Sequence, residues 1–377
     1  MAPDSKMVRL LHTADLHLGM KFAGYPEVRA RLSEARFETL ERIVNLANSE
    51  ECALLAIAGD LFDRSRVPLG EVQRVADILS RFEGEAVLVL PGNHDFAAPD
   101  SELWTRFRKS SGDRTLLLDR PEPVDLRHYG LPAAVYPAPC TARRSAVNNV
   151  GWIRHADPVA GAEIHIGIAH GSLKGISPDP EQNYYPMTRE ELLDLPMDAW
   201  LLGHTHIRYP EKPGTGDRVF NPGTPEPDGF DCTHAGAAFI IELEKDRPPS
   251  VRPVGTGTYR FADRNLQLTP ELTLEEIVRL AAEDVDARVL LRLTLTGTAS
   301  TEAIAALPQI EEKVREQALY LDADAGGLRE AVTPERIARE FPDGSFGNRL
   351  LSRLLQSGED AAVDTAFALL EDARDDS

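Results

Sequence analysis

Aspartate, asparagine and histidine recur in this chain in five short groups, and these residue types hold cations and move protons. The groups read Asp15-Leu16-His17, Gly59-Asp60-Leu61-Phe62-Asp63, Gly92-Asn93-His94-Asp95, a lone His170, and Gly203-His204-Thr205-His206. Together they offer four carboxylates, one amide and five imidazoles. No cysteine belongs to any group, which argues against a closed structural zinc site. Asp15 and His17 flank one residue, so in an extended segment both face the same side and can bind one cation. Asp60 follows an apolar run, where an unpaired carboxylate is costly to bury. A carboxylate can touch two cations, which makes Asp60 the candidate bridge. The Asn93 amide oxygen is a hard, neutral donor suited to Mn²⁺ or Mg²⁺; equally, Asn93 can be a turn residue. His170 alone reads as structural or as a ligand, while His204 and His206 repeat the spacing of Asp15 and His17. In this order, the set points to phosphoester hydrolysis by paired cations that activate water and hold the attacking and leaving oxygens.

These residues meet only if the fold gathers them. Each group follows an apolar run: Val8 to His12, Ala53 to Ala58, Ala86 to Leu90, Ile164 to Ala169 and Ala199 to Leu202. Continuous apolar runs of this length are expected of strands buried on both faces. Between them, Val28 to Asn48 and Leu69 to Phe82 show helical spacing. The opening is therefore β-α-β-α-β, with further strands expected at Arg218 to Asn221, Ala237 to Leu243 and Val251 to Val254. The polar groups fall at the C-terminal ends of strands, the edge where α/β sheets bind ligands. Near residue 256 the pattern changes, and Gly255-Thr256-Gly257-Thr258 with Asp263-Arg264 reads as a separator. A helix is expected from Thr273 to about Ala282, a strand at Ala287 to Leu295, and helices after Thr301. From Thr333 to Glu371 the pattern is helical, with a break around Pro342 to Gly347. The expected domains are 1–260 with the polar groups, a small cap at 266–332, and C-terminal helices at 333–377.

The chain has 377 residues and a net charge of −20. DNA-binding domains are commonly basic, because lysine and arginine release counterions from phosphates. This balance argues against broad, tight duplex binding by the chain alone. Residues 261–377 carry twice as many acidic as basic side chains. Paired divalent cations would change the local field more than the total suggests. No run approaches the roughly 18 apolar residues of a membrane span, and Met1 to Arg9 lacks the apolar core of a signal peptide. Cys52, Cys140 and Cys232 follow no pairing pattern, which suits a reducing compartment. A cytoplasmic protein without membrane association is the expectation.

The series D-x-H, G-D-x-x-D, G-N-H-D, H and G-H-x-H, from Asp15 to His206, resembles the calcineurin-like metallophosphoesterases. Leu11-His12-Thr13-Ala14-Asp15-Leu16-His17-Leu18-Gly19 is closer still to the SbcD-type DNA repair exonucleases. Asn221-Pro222-Gly223-Thr224-Pro225-Glu226 resembles the P-G-S/T-P turn of that branch. The resemblance implies an α+β fold, a four-layer α/β/β/α sandwich with a small C-terminal α+β cap. It implies Asp15, His17, Asp60 and His206 as ligands of one metal, with Asp60 bridging, and Asn93, His170 and His204 at the second. His94 would contact the scissile phosphate without binding metal, and Asp95 would orient it. Asp63 stands where some relatives have histidine; it reads as an acceptor for a ligand imidazole or as a helix cap. The implied activity is a DNA exonuclease or endonuclease with two Mn²⁺ (or Mg²⁺) ions, acting in repair as a homodimer with an SbcC-like coiled-coil ATPase. Arg143 and Arg144 are candidate DNA contacts or plain surface charges, as are Arg106, Arg108 and Lys109. The acidic balance favours the alternative of a phosphatase or a small-molecule or cyclic-nucleotide phosphodiesterase. Val363, Phe367, Leu369 and Leu370, and likewise Leu350, Leu351, Leu354 and Leu355, form apolar helix faces. These faces either pack on each other or on the cap, or dock the ATPase coiled coil.

Overall fold

The computed structural model describes residues 7–232, 234–358 and 360–375. They form two compact units, Met1–Phe261 and Ala262–Ser377. The first contains β1 (Val8–Thr13), α1 (Arg29–Ser49), β2 (Leu54–Ala58), α2 (Leu69–Leu79), β3 (Ala86–Leu90), α3 (Glu102–Ser110) and β4 (Thr115–Leu117). After these come β5 (Val124–Asp125), β6 (Ala133–Ala138), β7 (Ile164–His170), α4 (Arg189–Leu193), β8 (Ala199–Gly203), β9 (Val219–Phe220), β10 (Ala237–Leu243) and β11 (Ser250–Gly255).

Two sheets result, in the orders β11-β10-β1-β2-β3-β4 and β5-β6-β7-β8-β9. Strands β1 to β4 run parallel, as do β6 to β9. The period-two alternation of a strand sends neighbouring residues to opposite faces, so both faces of these strands must be covered. Leu10, Leu54, Ala56 and Leu88 meet Ile164, Ile166, Ile168 and Leu201 between the sheets. Leu11, Leu55, Ile57 and Val87 face outward onto Phe37, Leu40, Val72, Val75 and Trp104 of α1 to α3. Tyr136, Trp200, Met187 and Leu192 build the outer core of the second sheet. Each of these large side chains contributes roughly 1.5–3 kcal/mol by burial. The unit is thus the expected four-layer sandwich, of α+β class.

The second unit holds a three-stranded sheet, β12-β13-β14. Its elements are β12 (Arg260–Leu268), α5 (Leu274–Ala281), β13 (Val289–Ala299), α6 (Thr301–Ala305), α7 (Leu307–Arg315), β14 (Tyr320–Glu330), α8 (Pro334–Glu340), α9 (Phe346–Ser357) and α10 (Asp360–Asp375). Thr273 caps α5 in a reciprocal capping box with Glu276, the signal that placed that helix. Two readings need correction. Asp263 and Arg264 are no separator but lie inside β12, whose inner positions include Leu266 and Leu268. The helical stretch after Thr301 ends at Arg315, and β14 follows, parallel to β13. Its inward residues Leu321, Ala323 and Ala325 alternate with Asp322 and Asp324, but small alanines and two glycines weaken that signal. Ile337, Phe341, Leu351 and Phe367 pack α8, α9 and α10 on one another.

Candidate metal centre

Parallel pairing carries the first motif residues past the strand ends. After β1 and β2 the chains stay side by side: Asp15 N–H bonds Gly59 O at 3.1 Å, and His17 N–H bonds Asp60 O at 2.9 Å. The backbone is not extended here, contrary to the sequence expectation. Asp15 and His17 have φ of 55° and 45°, Asp60 50° and His204 95°. Left-handed non-glycine residues are costly and persist where surrounding structure over-determines them. Here the supports are explicit. The Asp15 carboxylate accepts the His204 amide at 2.9 Å, and Thr224 Oγ1 donates to Asp15 O at 3.0 Å.

The glycines that open the motifs are dictated by close approach. A Cβ on Gly59 would collide with the His170 ring, and one on Gly92 with the Asp60 carboxylate.

Every residue of the expected ligand set converges. Asp15, His17 and His206 form one cluster of donor atoms within 4.8 Å of one another, and Asp15, Asp60 and His170 form another. Asp60 Oδ2 lies 3.7 Å from His17 Nε2 and 3.3 Å from His170 Nε2, between the two groups. Asn93 Oδ1 sits 3.0 Å from His170 Nε2 and 2.9 Å from His204 Nδ1. His17 Nε2 and His206 Nε2 face each other at 3.2 Å. Asp15, His17, Asp60, Asn93 and His170 are all buried, at 2% exposure or less.

Burial and the close approach of carboxylates and imidazoles set the electrostatics of the cluster. Burial pushes the Asp15 carboxyl up to about 6, against the pull of His206 and His170. Burial opposes ionisation of Asp60 too, but the facing imidazoles of His170 and His17 win and hold it below the usual carboxylate range. Burial lowers His204 to about 3, with His170 adding to the effect. His170 is carried up to about 9, because Asp60 outweighs its burial. The ion-pair partners of Asp15 and Asp60 among the described residues are imidazoles, not lysine or arginine. Hard carboxylate and amide oxygens with borderline imidazoles, and no thiolate, fit two divalent cations of the Mn²⁺ or Mg²⁺ kind.

His94 stands at the edge of the centre. Its ring packs edge-on to His17 at 4.7 Å, and one nitrogen lies within 4.8 Å of His17 and Asp60 donor atoms. Asp95 does not orient it. The Asp95 carboxylate accepts Gly92 N–H at 2.7 Å and Phe62 N–H at 2.9 Å, clamping two loops. The His94 ring is held instead by the Asp63 carbonyl, 3.0 Å from Nδ1. The Asp63 carboxylate lies 3.7 Å from His17 Nδ1, near that imidazole but beyond hydrogen-bond length. Burial, and then the charge of Asp60, raises Asp95 to about 8.

Arg143 and Arg144 are exposed. Arg144 lies over the Tyr184 ring at 5.7 Å, and that ring packs on His204 at 5.1 Å, so Arg144 reaches the rim of the centre. Arg106 and Arg108 are paired with Glu102 and Asp119. A cavity of about 310 Å³ opens beside His204 and His206, lined in part by Tyr184, Ile207 and Asp228.

Sequence reasoning passed over Asp228, which accepts from His206 Nδ1 at 2.9 Å, and the buried Arg36 behind it. A signal existed: Arg36 interrupts the apolar stripe Leu32, Leu40 and Ile43 of a helix, where a charge needs a reason.

Residues 8–208 match the sequence profile of the calcineurin-like phosphoesterases. Among curated proteins, the chain is 30% identical over 205 residues to the uncharacterized metallophosphoesterase YhaO of Bacillus subtilis, covering 52% of this chain and 48% of that one. It is 23% identical to the DNA double-strand break repair protein Mre11 of Methanopyrus kandleri, over 98% of this chain and 84% of the relative. A shorter match, 34% over 91 residues, is to the SbcD component of the nuclease SbcCD of Bacillus subtilis, covering 23% and 22% of the two chains. This chain thus spans about half the length of YhaO, and less of SbcD. Among solved structures, the calcineurin-like phosphoesterase YfkN of Bacillus subtilis aligns at 14% identity, with 66% of this chain, 90% of the other and a TM-score of 0.40. That likeness is too distant to add to the profile match. The profile spans more than half of the chain and encloses every residue of the buried cluster, from Asp15 to His206: this protein belongs to the calcineurin-like phosphoesterase family, hydrolases of phosphoester bonds that bind two divalent metal ions.

Proposed function

We propose that this protein is a Mn²⁺-dependent DNA exonuclease or endonuclease that works in repair, as a homodimer with a coiled-coil ATPase of the SbcC type. The observation that carries the phosphodiesterase chemistry is Asp60 Oδ2 poised between His17 and His170. The nuclease reading is supported by the Asp15-Leu16-His17-Leu18-Gly19 opening, the Pro222-Gly223-Thr224-Pro225 turn and the full-length similarity to an Mre11.

In this reading Asp15, His17, Asp60 and His206 hold one cation and Asn93, His170 and His204 the other. Divalent cations held there would supply Lewis-acid charge that acidifies water and offsets the charge of the phosphate. The chain's own residues do the rest. Asp63 O accepts a hydrogen bond from His94 Nδ1–H, which leaves Nε2 for the substrate. Protonated His94 hydrogen-bonds a phosphate oxygen and passes its Nε2 proton to the leaving oxygen. Tyr184 offers a ring for a base, and Arg144 a charge for the next phosphate. An ATPase partner supplies the basic DNA surface that a chain of net charge −20 lacks. Segment 266–332 acts as a cap, and Phe346 and Leu369 on the C-terminal helices, 69% and 63% exposed, are the docking anchors.

The test is incubation of the purified protein with labelled linear duplex, single-stranded DNA and bis-p-nitrophenyl phosphate, with Mn²⁺ or with chelator. Mn²⁺-dependent cleavage of DNA is expected. Hydrolysis of the small diester without any cleavage of DNA, alone or with the ATPase, would transfer the assignment to the second reading, a small-molecule phosphodiesterase or phosphatase. The acidic charge favours that reading.

A further inference from the structure

Arg36 is 1% exposed, and among the described residues no other lysine or arginine is buried to this degree. A buried guanidinium is costly unless its donors are met; here both Nη nitrogens have partners, while Nε has none among the described residues. Its partners show what it is for. Nη1 donates to Leu16 O at 2.6 Å, and Nη2 to Glu226 O at 3.4 Å. Nη2 also lies 3.5 Å from Asp228 Oδ2. Leu16 is the residue between Asp15 and His17, and Asp228 accepts from His206 Nδ1 at 2.9 Å. One side chain of α1 therefore ties the loop of Leu16 to the loop of Glu226 and Asp228. The first loop supplies Asp15 and His17, Asp228 of the second holds the His206 ring, and these three side chains are one of the donor clusters.

The other side of the centre is held without Arg36 or Asp228. Ala58 O accepts from His170 Nδ1 at 2.8 Å, and Asn93 stands between His170 and His204. We infer that Arg36 and Asp228 are positioning residues that assemble the Asp15–His17–His206 metal position selectively and leave the Asn93–His170–His204 position intact without them. This rests on the reading of both clusters as cation sites.

The physical argument concerns tautomer and strain. An imidazole presents a lone pair on Nε2 only when the proton stays on Nδ1, and an acceptor at Nδ1 fixes that tautomer and the ring's angle. Asp228 is that acceptor, and Arg36 keeps its carboxylate in place. The Asp228 and Arg36 charges cancel, so the field of Asp15 and Asp60 is left for the cation. The same guanidinium pins the Leu16 carbonyl inside a turn with left-handed backbone on both sides, φ 55° at Asp15 and 45° at His17.

The test titrates Mn²⁺ into the full-length protein, with free Mn²⁺ read by electron paramagnetic resonance. The wild type should bind two ions. Asp228→Asn and Arg36→Met should each keep one ion at wild-type affinity and bind the other ~10–100-fold more weakly. Arg36→Lys should fall between, because an ammonium replaces the fork by a point charge. Hydrolysis of bis-p-nitrophenyl phosphate by Asp228→Asn should recover as Mn²⁺ is raised. Glu226→Gln is the control. The Glu226 carboxylate bonds Thr39 Oγ1 at 2.6 Å and the Thr258 amide at 2.8 Å, and it touches no candidate ligand. It should lower the melting temperature and leave both Mn²⁺ affinities unchanged. Two ions bound by Asp228→Asn with wild-type affinity overturn the inference while the two-metal reading stands. Equal weakening of both positions, or the same loss in Glu226→Gln, also overturns it. A wild type that binds no Mn²⁺ removes the two-metal reading itself.

Discussion

Asp60 and His94 are near neighbours in the cluster with different predicted losses. Asp60 has imidazoles of both candidate metal positions near one oxygen and the His94 amide on the other, at 2.8 Å. Asp60→Ala should therefore lose at least one metal together with turnover. Metal content measured at saturating Mn²⁺ decides this, and two ions at full occupancy would reject the bridging role. The His94 ring is hydrogen-bonded through Nδ1 to Asp63 O, a backbone atom. His94→Ala should retain both ions and DNA binding while turnover falls ~10²–10⁴-fold, the range of an acid–base group. Loss of an ion in that variant would make His94 a ligand. Asp95 belongs to a different class: with both oxygens on backbone amides of two loops, it acts by shaping the Gly92–Asn93 turn.

Strand ends and their glycines give the centre its rigidity. Gly92 has no room for a methyl beside Asp60, so Gly92→Ala should cost about 1–3 kcal/mol, as overpacking does, and weaken Mn²⁺ binding. Thermal melting and titration of the same sample report both. His12, inside β1, carries a pH dependence. Its ring is buried, Nε2 meets Leu202 O at 3.0 Å and Nδ1 has no partner. Burial lowers it from 6.5 to about 3, with the Leu202 bond only partly opposing. The unfolded chain takes up the proton near 6.5, whereas the folded chain refuses it until about 3. The stability His12 permits is thus complete above 6.5 and erodes as pH falls from 6.5 toward 3. His12→Gln should flatten that acid-side slope in denaturant titrations between about pH 7 and 4; an unchanged slope would show that other groups set it.

Among the described residues, no helix is long and apolar enough to cross a membrane. The unit Met1–Phe261 contains every candidate ligand, so metal binding should stabilise that unit and not Ala262–Ser377. A ligand at 100 times its Kd adds about 2.7 kcal/mol. Chelation should therefore speed amide hydrogen exchange in β1, β2 and β7 but not in β13. Equal acceleration in both units would contradict it. In the second unit, Ile337, Phe341, Leu351 and Phe367 are consumed by packing among α8, α9 and α10, while Phe346 and Leu369 remain exposed. If an ATPase docks there, Phe346→Glu with Leu369→Glu should abolish co-purification and leave hydrolysis of small diesters unchanged. Persistence of the complex would place the docking site elsewhere.

The candidate ligand residues that the fold gathers stood out along the chain, because metal chemistry restricts residue type and because apolar runs such as Leu54–Ala58 and Ala86–Leu90 announce buried strands. The Thr273 capping box and the long α1 stripe were legible for the same local reasons. Strand β14 was not, since its inward alanines are small and the adjacent Gly326 and Gly327 interrupt the alternation. Nor was the role of Asp95, whose partners Phe62 N and Gly92 N are set by the loop path rather than by residue type. The extended geometry expected for Asp15 and His17 was wrong because pairing with Gly59 and Asp60 beyond the strand ends forces a left-handed turn. Arg36 and Asp228 are separated by most of the first unit's sequence, and no periodicity or motif spacing links them. Which atoms converge on a cation follows from side-chain chemistry and can be read along the chain. Which groups hold those atoms in place depends on long-range packing of a helix against two loops, and only the folded arrangement decides it.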